Sequence, residues 1–334
     1  MSHPLVPRGG RRAGGPVVAL AASLVLVLAG CANSDNDADG EDKDAAPAAT
    51  TRTIEDTMLG PVEDVPTDPQ RVVALWRTGA LLADIGVKPV GQLVDEFSES
   101  ELDAETFAEY GDVPVVGTFD GIDVEAVIEL EPDLIIGMDN GGLDFSYDEL
   151  QEIAPTVILD IAEPTDVWAN YPVVADLVGE TTDFEEDLAE LDAELAEVKE
   201  QFGEAMSGLQ ATSLAAFDST LLIDTSKSLT YQRLAAAGFG YNPTYTDNPE
   251  RYVTELSLEN VADLADQDLI LFDVGLDGRP DPETQAVMET ASFKRLPAVV
   301  KGNVFPLTSG TIYTFAAAEQ QVADLIAAAE GYQP

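Results

Sequence analysis

Cysteine and histidine are almost absent from this chain of 334 residues. Cys31 is the only cysteine and His3 the only histidine. A single cysteine cannot form a disulfide within the chain. From residue 32 onwards the chain also lacks the residues for serine–histidine–aspartate or cysteine–histidine catalysis, for His/Cys zinc sites and for His-ligated haem.

Basic residues are also few, with 16 Lys and Arg against 63 Asp and Glu, for a net charge of −47. Residues 1–31 contain three arginines and no acidic residue, so their removal takes the charge to −50. A polyanion of this size is not expected to bind nucleic acid through phosphates or to adsorb on an anionic membrane.

The only long apolar run lies near the start of the chain, at residues 17–29, after Arg8, Arg11 and Arg12. This run is typical of a signal peptide and is short for a membrane span. It leads into Leu28-Ala29-Gly30-Cys31, the pattern of a bacterial lipobox. We therefore predict a lipoprotein signal over 1–31, with the lipid on Cys31. The alternative is an ordinary secretory signal.

After the signal, residues 32–53 are acidic and poor in large apolar side chains, which predicts a disordered tether. Residues 123–136 and 257–271 then share one pattern, in which a short amphipathic helix leads to an Asp and an apolar strand. This echo predicts two similar lobes, over 54–180 and 205–334. Strands and helices alternate in both, which favours Rossmann-like α/β lobes with parallel sheets and a ligand cleft between them.

A heptad-like apolar spacing covers residues 181–204, between the two predicted lobes. It predicts one long α-helix that starts at Thr181, Thr182 or Asp183 and ends at Gly203. A coiled-coil arm has the same spacing. Because an α/β segment follows at once, we favour a helix that bridges the lobes.

The two echoed segments each carry a glutamate near the start of the helix, Glu125 and Glu259. First-turn glutamates are ordinary in helices, since they complement the helix dipole. Two fixed carboxylates on separate lobes would also suit recognition by paired arginines. From the residues alone, the ordinary first-turn interpretation is the better one.

The order of these features resembles a known family. It comprises the lipobox, the acidic tether, residues 68–75, the echo at 124–136, the long central helix and residues 294–305. Together they resemble the substrate-binding lipoproteins of ABC importers for ferric siderophores and cobalamin. The resemblance implies a monomer, not an enzyme, lipid-anchored on the extracytoplasmic face of the cell membrane. It also implies that Glu125 and Glu259 dock on arginines of an importer permease.

Ligands of open α/β sheets bind beyond the carboxyl ends of the strands. Aromatic and arginine side chains near such ends would suit a ferric siderophore, because rings pack against its organic part and guanidinium groups bond its oxygens. The siderophore already wraps the iron, so no cofactor or protein metal ligand is expected. The candidate ligand-binding residues are Trp76, Arg77, Tyr147, Tyr231, Arg251, Arg279 and Tyr313.

Several ligands and one different function stay open at this point. The acidity favours a neutral or cationic ferric hydroxamate over an anionic ferric catecholate. Cobalamin and haem held by tyrosine are alternatives in the same class, whereas bare zinc or manganese would need imidazole ligands. The rival class is a surface hydrolase with a carboxylate pair, although no spacing marks such a pair.

Overall fold

The computed structural model of the protein describes residues 50–98 and 100–334. The predicted signal peptide, Cys31 and most of the predicted tether lie outside the described residues. Thirteen strands and eleven α-helices occur in the described part of the chain. No helix in this part is long and apolar enough to cross a membrane.

The strands and helices follow one another along the chain with few long loops. The strands are β1 (Thr51–Ile54), β2 (Val62–Pro66), β3 (Val72–Ala74), β4 (Gly91–Gln92), β5 (Gly117–Thr118), β6 (Gly121–Ile122), β7 (Leu134–Asp139), β8 (Thr156–Asp160), β9 (Ala211–Phe217), β10 (Thr220–Asp224), β11 (Val253–Ser257), β12 (Leu269–Val274) and β13 (Val304–Thr308). The α-helices are α1 (Gly79–Asp84), α2 (Ala104–Tyr110), α3 (Val124–Glu129), α4 (Tyr147–Gln151), α5 (Thr165–Val178), α6 (Thr181–Met206), α7 (Leu229–Ala236), α8 (Pro243–Thr246), α9 (Pro282–Glu289), α10 (Pro297–Lys301) and α11 (Phe315–Gly331). Two 3-10 helices cover Leu258–Asp266 and Phe293–Arg295.

The N-terminal lobe is built on a parallel sheet of four strands in the order β4-β3-β7-β8. Strand β7, one of the two inner strands, is buried at all six positions, because helices cover both faces of a parallel sheet. The two-lobed α/β fold with one long helix is thus confirmed.

The C-terminal lobe has a mixed sheet of five strands, in the order β11-β10-β9-β12-β13. Strands β9, β10 and β11 run antiparallel, and only β12 is parallel to both of its neighbours. The prediction of parallel sheets in both lobes is therefore wrong for this lobe. A tight hairpin joins β9 to β10, and its turn residues Asp218 and Ser219 have φ values of 46° and 62°. These left-handed residues give a turn that matches the twist of the strands.

The tether also differs from the prediction at its end. Thr51–Ile54 forms β1, which pairs antiparallel with β2, so ordered structure starts before the predicted boundary at residue 54. Arg52 anchors this strand, because its guanidinium forms an ion pair with Asp176 at 2.8 Å and donates to the Asp176 carbonyl at 2.6 Å. The composition of residues 32–53, which is acidic and rich in small side chains, could not predict these contacts with helix α5, far along the chain.

The long helix α6 has 26 residues, or about 39 Å at 1.5 Å per residue. Its apolar face buries Phe184, Leu191, Leu195 and Val198. It packs against α5 of the N-terminal lobe and against α7 and α11 of the C-terminal lobe. The helix passes the predicted end at Gly203 and reaches Met206, and none of the predicted side chains caps its N-terminus. Gly203 does not end the helix. Its carbonyl still accepts from the backbone N–H of Ser207, which continues the helical hydrogen-bond pattern past this residue.

A buried network ties the two lobes together beside this helix. Asp84, at the end of α1, accepts from the backbone N–H of Phe315 at 2.5 Å and from the Tyr171 hydroxyl at 2.8 Å. Tyr171 and Phe315 also pack against Phe184 with ring centroids 5.1 and 5.4 Å away. The carboxylate therefore fixes the N-terminus of α11 against the N-terminal lobe.

Candidate ligand cleft

The candidate site begins where β3 ends, at Trp76 and Arg77. Arg77 has a φ of 66°, a left-handed conformation that is uncommon for a residue with a side chain. Glu96 holds this turn, because its two carboxylate oxygens accept from the backbone N–H groups of Arg77 and Gly79, each at 2.8 Å. A Cβ at position 79 would lie 2.6 Å from the Cβ of Glu96, so glycine is required there.

This turn places the Arg77 guanidinium between two aromatic rings. Its central carbon lies 5.4 Å from the ring centroid of Trp76 and 5.5 Å from that of Tyr313. Within the part of the chain that the structure describes, this guanidinium forms no ion pair. A planar guanidinium held by ring faces keeps its N–H groups available for oxygen atoms of a ligand.

Burial perturbs the acids and the phenol around Arg77. It raises the pKa of Glu96 from 4.5 to about 7, although hydrogen bonds from Gly79 and Arg77 oppose the shift. Burial also raises the pKa of Glu101, with the charge of Arg77 acting in the opposite direction. The pKa of Tyr313 rises to about 12 for the same reason, so its hydroxyl stays protonated at neutral pH.

Three adjoining compartments form the cleft between the lobes. The central one, of about 200 Å³, is lined by Trp76, Arg77, Ala80, Leu81, Asp95, Glu96, Glu101, Phe119, Thr311, Ile312 and Tyr313. The second, of about 390 Å³, shares Glu101, Thr311 and Ile312 with the first and continues to Phe217, Asp273, Asp281 and Glu283. The third, of about 360 Å³, shares Trp76, Arg77 and Tyr313 with the first and continues to Asn140, Glu163, Arg251 and Tyr252. A ligand of siderophore size can extend from one compartment to the next.

The cleft is acidic despite its central arginine. Its compartments are lined by two guanidinium groups, those of Arg77 and Arg251, and by seven carboxyl side chains. The acidic residues are Asp95, Glu96, Glu101, Glu163, Asp273, Asp281 and Glu283. The resulting field disfavours a multiply charged anion and tolerates a neutral or cationic ligand.

Four of the predicted ligand-binding residues meet in this cleft. Trp76, Arg77 and Tyr313 form its centre, and Arg251 lines the third compartment. Arg251 also pairs with Glu255 at 3.1 Å and lies 5.9 Å from the ring of Tyr252. Whether these side chains contact a ligand stays a prediction.

The other three predicted residues line none of the three compartments. The Tyr147 hydroxyl donates to Asp139 at 2.7 Å, at the base of the loop that follows β7. Tyr231 packs edge-on against Tyr241 at 5.4 Å. Arg279 lies on a surface turn with an 84% exposed side chain, 3.9 Å from Asp277. Tyr147 and Tyr231 lie in helices α4 and α7 and Arg279 lies on a turn, and each side chain contacts neighbours close to it in the chain or fold instead of the cleft.

Several cleft residues were missed from the sequence. Glu96 was one acid among many, and its role depends on burial beside a left-handed turn. Phe119 packs edge-on against Trp76 at 6.1 Å from a hairpin too short to predict. Tyr252, which follows the predicted Arg251 and also lines the third compartment, was not among the predicted residues. Within the described residues there is no group of three or more potential ligands that could hold a metal ion.

The matched glutamates lie on the surface, away from the three compartments. Glu125 is exposed in the first turn of α3, where Asp123 caps the helix by accepting from the Ala126 N–H. Glu259 is exposed in the first turn of the predicted short helix, which is a 3-10 helix. Ser257 both ends β11 and caps this helix, so no loop separates the two elements.

The comparisons with known proteins agree with this architecture. The family model described as periplasmic binding protein matches residues 72–311, which include Trp76, Arg77 and the long helix, whereas Tyr313 lies just beyond the match. The chain belongs to this family. In this periplasmic binding protein, Trp76, Arg77 and Thr311 all lie inside the matched region.

Two relatives come from Bacillus subtilis strain 168. The chain is 32% identical over 183 residues to the probable siderophore-binding lipoprotein YfiY, covering 54% of this chain and 53% of that protein. It is 28% identical over 163 residues to the iron(3+)-hydroxamate-binding protein YxeB, covering 49% and 46%. The chain thus matches about half the length of these relatives.

A solved structure matches over a longer range. It is the siderophore periplasmic binding protein from the fuscachelin gene cluster of Thermobifida fusca. The TM-score is 0.71 and the identity 25%, over 80% of this chain and 98% of that one. The likeness extends over both lobes and the helix that connects them.

Proposed function

We propose that this protein captures a ferric siderophore outside the cytoplasm and delivers it to the permease of an ABC importer. One observation carries the proposal, namely the Arg77 guanidinium held between Trp76 and Tyr313 in the cleft between two lobes. The rings offer stacking surface to the organic part of the complex, and the guanidinium offers donors to its iron-bound oxygens. The family and the names of the relatives support the same class of ligand.

We further propose that the ligand is a ferric hydroxamate. A ferric tris-catecholate carries several negative charges and would meet seven carboxyl groups, of which that of Glu96 is partly protonated near neutral pH, against two guanidinium groups in the cleft. A ferric hydroxamate is neutral or cationic and avoids this repulsion. YxeB, whose name specifies an iron(3+)-hydroxamate ligand, is one of the relatives.

In this proposal, three residues contact the partners of the protein. These are Glu125 and Glu259 for the permease and Cys31 for the membrane. Glu125 and Glu259 are exposed, one on each lobe, and are free to receive paired arginines of a permease. A lipid on Cys31 would hold the protein at the extracytoplasmic face of the membrane, since so acidic a chain cannot adsorb there through charge. In this account the protein acts as a monomer, holds no cofactor and transforms no substrate.

The test is a binding titration of the processed chain carrying Cys31→Ser, so that no lipid is attached. Ferrioxamine B, ferric enterobactin, cyanocobalamin and haemin are added separately, and quenching of tryptophan fluorescence is followed. Trp76 and Trp168 are the only tryptophans, so a Trp76→Phe variant identifies quenching that arises in the cleft. We expect saturable, stoichiometric binding of ferrioxamine B without turnover.

The other ligands in the panel decide between the alternatives. Tighter binding of ferric enterobactin would overturn the hydroxamate assignment and leave the siderophore function in place. Binding of cyanocobalamin or haemin alone would replace the siderophore with that ligand. Chemical change of any ligand on incubation would contradict a binding function.

A further inference from the structure

Two phenylalanines stand out among the exposed apolar side chains of the described residues. Phe119 is 44% exposed and Phe217 is 69% exposed, although phenyl rings are normally buried. Phe119 lines the central compartment of the cleft and Phe217 lines the second. Phe119 lies in the turn of a hairpin of the N-terminal lobe, and Phe217 is the last strand residue before the turn of a hairpin of the C-terminal lobe.

The first hairpin comprises β5 and β6 of the N-terminal lobe. Thr118 pairs with Gly121, so Phe119 and Asp120 form the two-residue turn. The Thr118 hydroxyl accepts from the Asp120 N–H at 3.2 Å, and the Phe119 ring packs edge-on against Trp76. Tips of such hairpins usually carry glycine, asparagine or aspartate, so a phenyl ring there needs a separate explanation.

The second hairpin joins β9 and β10 of the C-terminal lobe. Two hydrogen bonds fix it to α9, because the Ala216 N–H donates to the Thr284 hydroxyl at 2.8 Å and the Ser219 N–H donates to Glu283 at 3.2 Å. Phe217 lies between these two anchored positions. Its backbone is therefore held in place while most of its ring faces solvent at the cleft.

We propose that Phe119 and Phe217 bind the linkers of the siderophore, the organic segments that join its iron-chelating groups. The two compartments adjoin through Glu101, Thr311 and Ile312, so one ligand can reach both rings. Rings on anchored hairpins are preorganised, and contact with methylene or aryl linkers removes apolar surface from water on both sides. The pair thus selects ligands with extended apolar linkers. This inference rests on the proposed siderophore function.

The test compares two probes that present the same iron–hydroxamate core. Ferrioxamine B carries pentamethylene linkers, whereas ferric tris(acetohydroxamate), kept in excess acetohydroxamate, has none. The parent protein is the processed chain with Cys31→Ser. We expect the additional change Phe217→Ala to weaken the binding of ferrioxamine B by about tenfold, since a ring contact of this kind contributes about that much to affinity. The same variant should bind ferric tris(acetohydroxamate) within about twofold of the parent protein.

Two further variants make the test specific. Phe119→Leu keeps an apolar side chain against Trp76 and should show a smaller loss of the same kind. Val300→Ala removes an apolar side chain that is 74% exposed on α10 and lines none of the compartments, so it should change neither affinity. Circular dichroism and urea midpoints close to those of the parent would confirm that the variants are folded.

The outcomes separate this inference from the function on which it rests. Unchanged affinity of Phe217→Ala for ferrioxamine B, or equal losses for both probes, would overturn the linker contact while leaving siderophore binding intact. If the parent protein binds ferric enterobactin and not ferrioxamine B, the linker contact is refuted, because the triserine lactone of enterobactin offers no extended apolar linker, while the siderophore function stands. If no ferric complex binds, both the function and the linker contact are refuted.

Discussion

Glu96 is the buried carboxyl group that holds the Arg77 turn, and it couples the stability of the cleft to pH. Burial raises its pKa from 4.5 to about 7. Between these two values the folded protein keeps a proton that the unfolded chain releases. The contribution of Glu96 to the free energy of unfolding is therefore fully present below about pH 4.5 and is lost as the pH rises to about 7.

The size of this effect follows from the two pKa values. Each pH unit in the window changes the free energy of unfolding by at most about 1.4 kcal/mol, which gives about 3 kcal/mol over the whole window. Above about pH 7 the carboxyl group is ionised in both states and adds no further pH dependence. The ionised form then keeps its two backbone hydrogen bonds but lacks solvation.

The perturbation is Glu96→Gln, compared with the parent by urea unfolding at pH 5 and pH 8. Other buried acids with raised pKa values, Asp84, Asp224 and Asp273, titrate in both proteins, so the comparison isolates Glu96. From pH 5 to pH 8, we expect the free energy of unfolding to fall by about 2–3 kcal/mol more in the parent than in the variant. Asp95→Asn, which removes an exposed carboxyl group from the same loop, is the matched control. Equal pH dependence in parent and Glu96→Gln would refute the reasoning.

Three further predictions concern the ligand, the lobe contact and the partner. Arg77→Lys keeps the charge but loses the planar stack, so calorimetry should show affinity for ferrioxamine B about tenfold weaker, and an unchanged affinity would contradict the site. Tyr171→Phe removes the hydroxyl that donates to the carboxylate of Asp84, so urea unfolding should show a free energy of unfolding lower by about 1–2 kcal/mol. An unchanged free energy of unfolding would show that this hydrogen bond adds no stability. Glu125→Gln combined with Glu259→Gln should slow uptake by cells without changing ligand affinity, and normal uptake would exclude docking through these residues.

The architecture could be predicted because its signals are local. A strand as apolar as Leu134–Asp139, in which only the last residue is charged, and a 26-residue amphipathic helix are visible in the order of the residues. The antiparallel hairpin of the C-terminal lobe was missed because its turn, Asp218-Ser219, contains no glycine or asparagine. The contact that orders Thr51–Ile54 was missed because Arg52 reaches Asp176, far along the chain.

The cleft could be predicted only in part, because sequence indicates which end of a strand faces the ligand and not where each side chain points. Trp76 and Arg77 lie within three residues of the end of their strand, so the rule placed them correctly. Tyr147 and Tyr231 lie in the helices that follow their strands, where local partners decide the direction of the ring. Glu96 and Phe217 acquire their roles from burial and from anchoring by distant residues, neither of which appears in the sequence.

The most direct test of the central claim is to locate the iron in a crystal of the complex with ferrioxamine B, by anomalous scattering at the iron absorption edge. We predict one iron peak in the cleft between the lobes, with iron-bound oxygens within hydrogen-bonding reach of the Arg77 guanidinium and the ligand against Trp76 and Tyr313. An iron peak on the outer surface, or a cleft without iron in a protein saturated with the ligand, would contradict it.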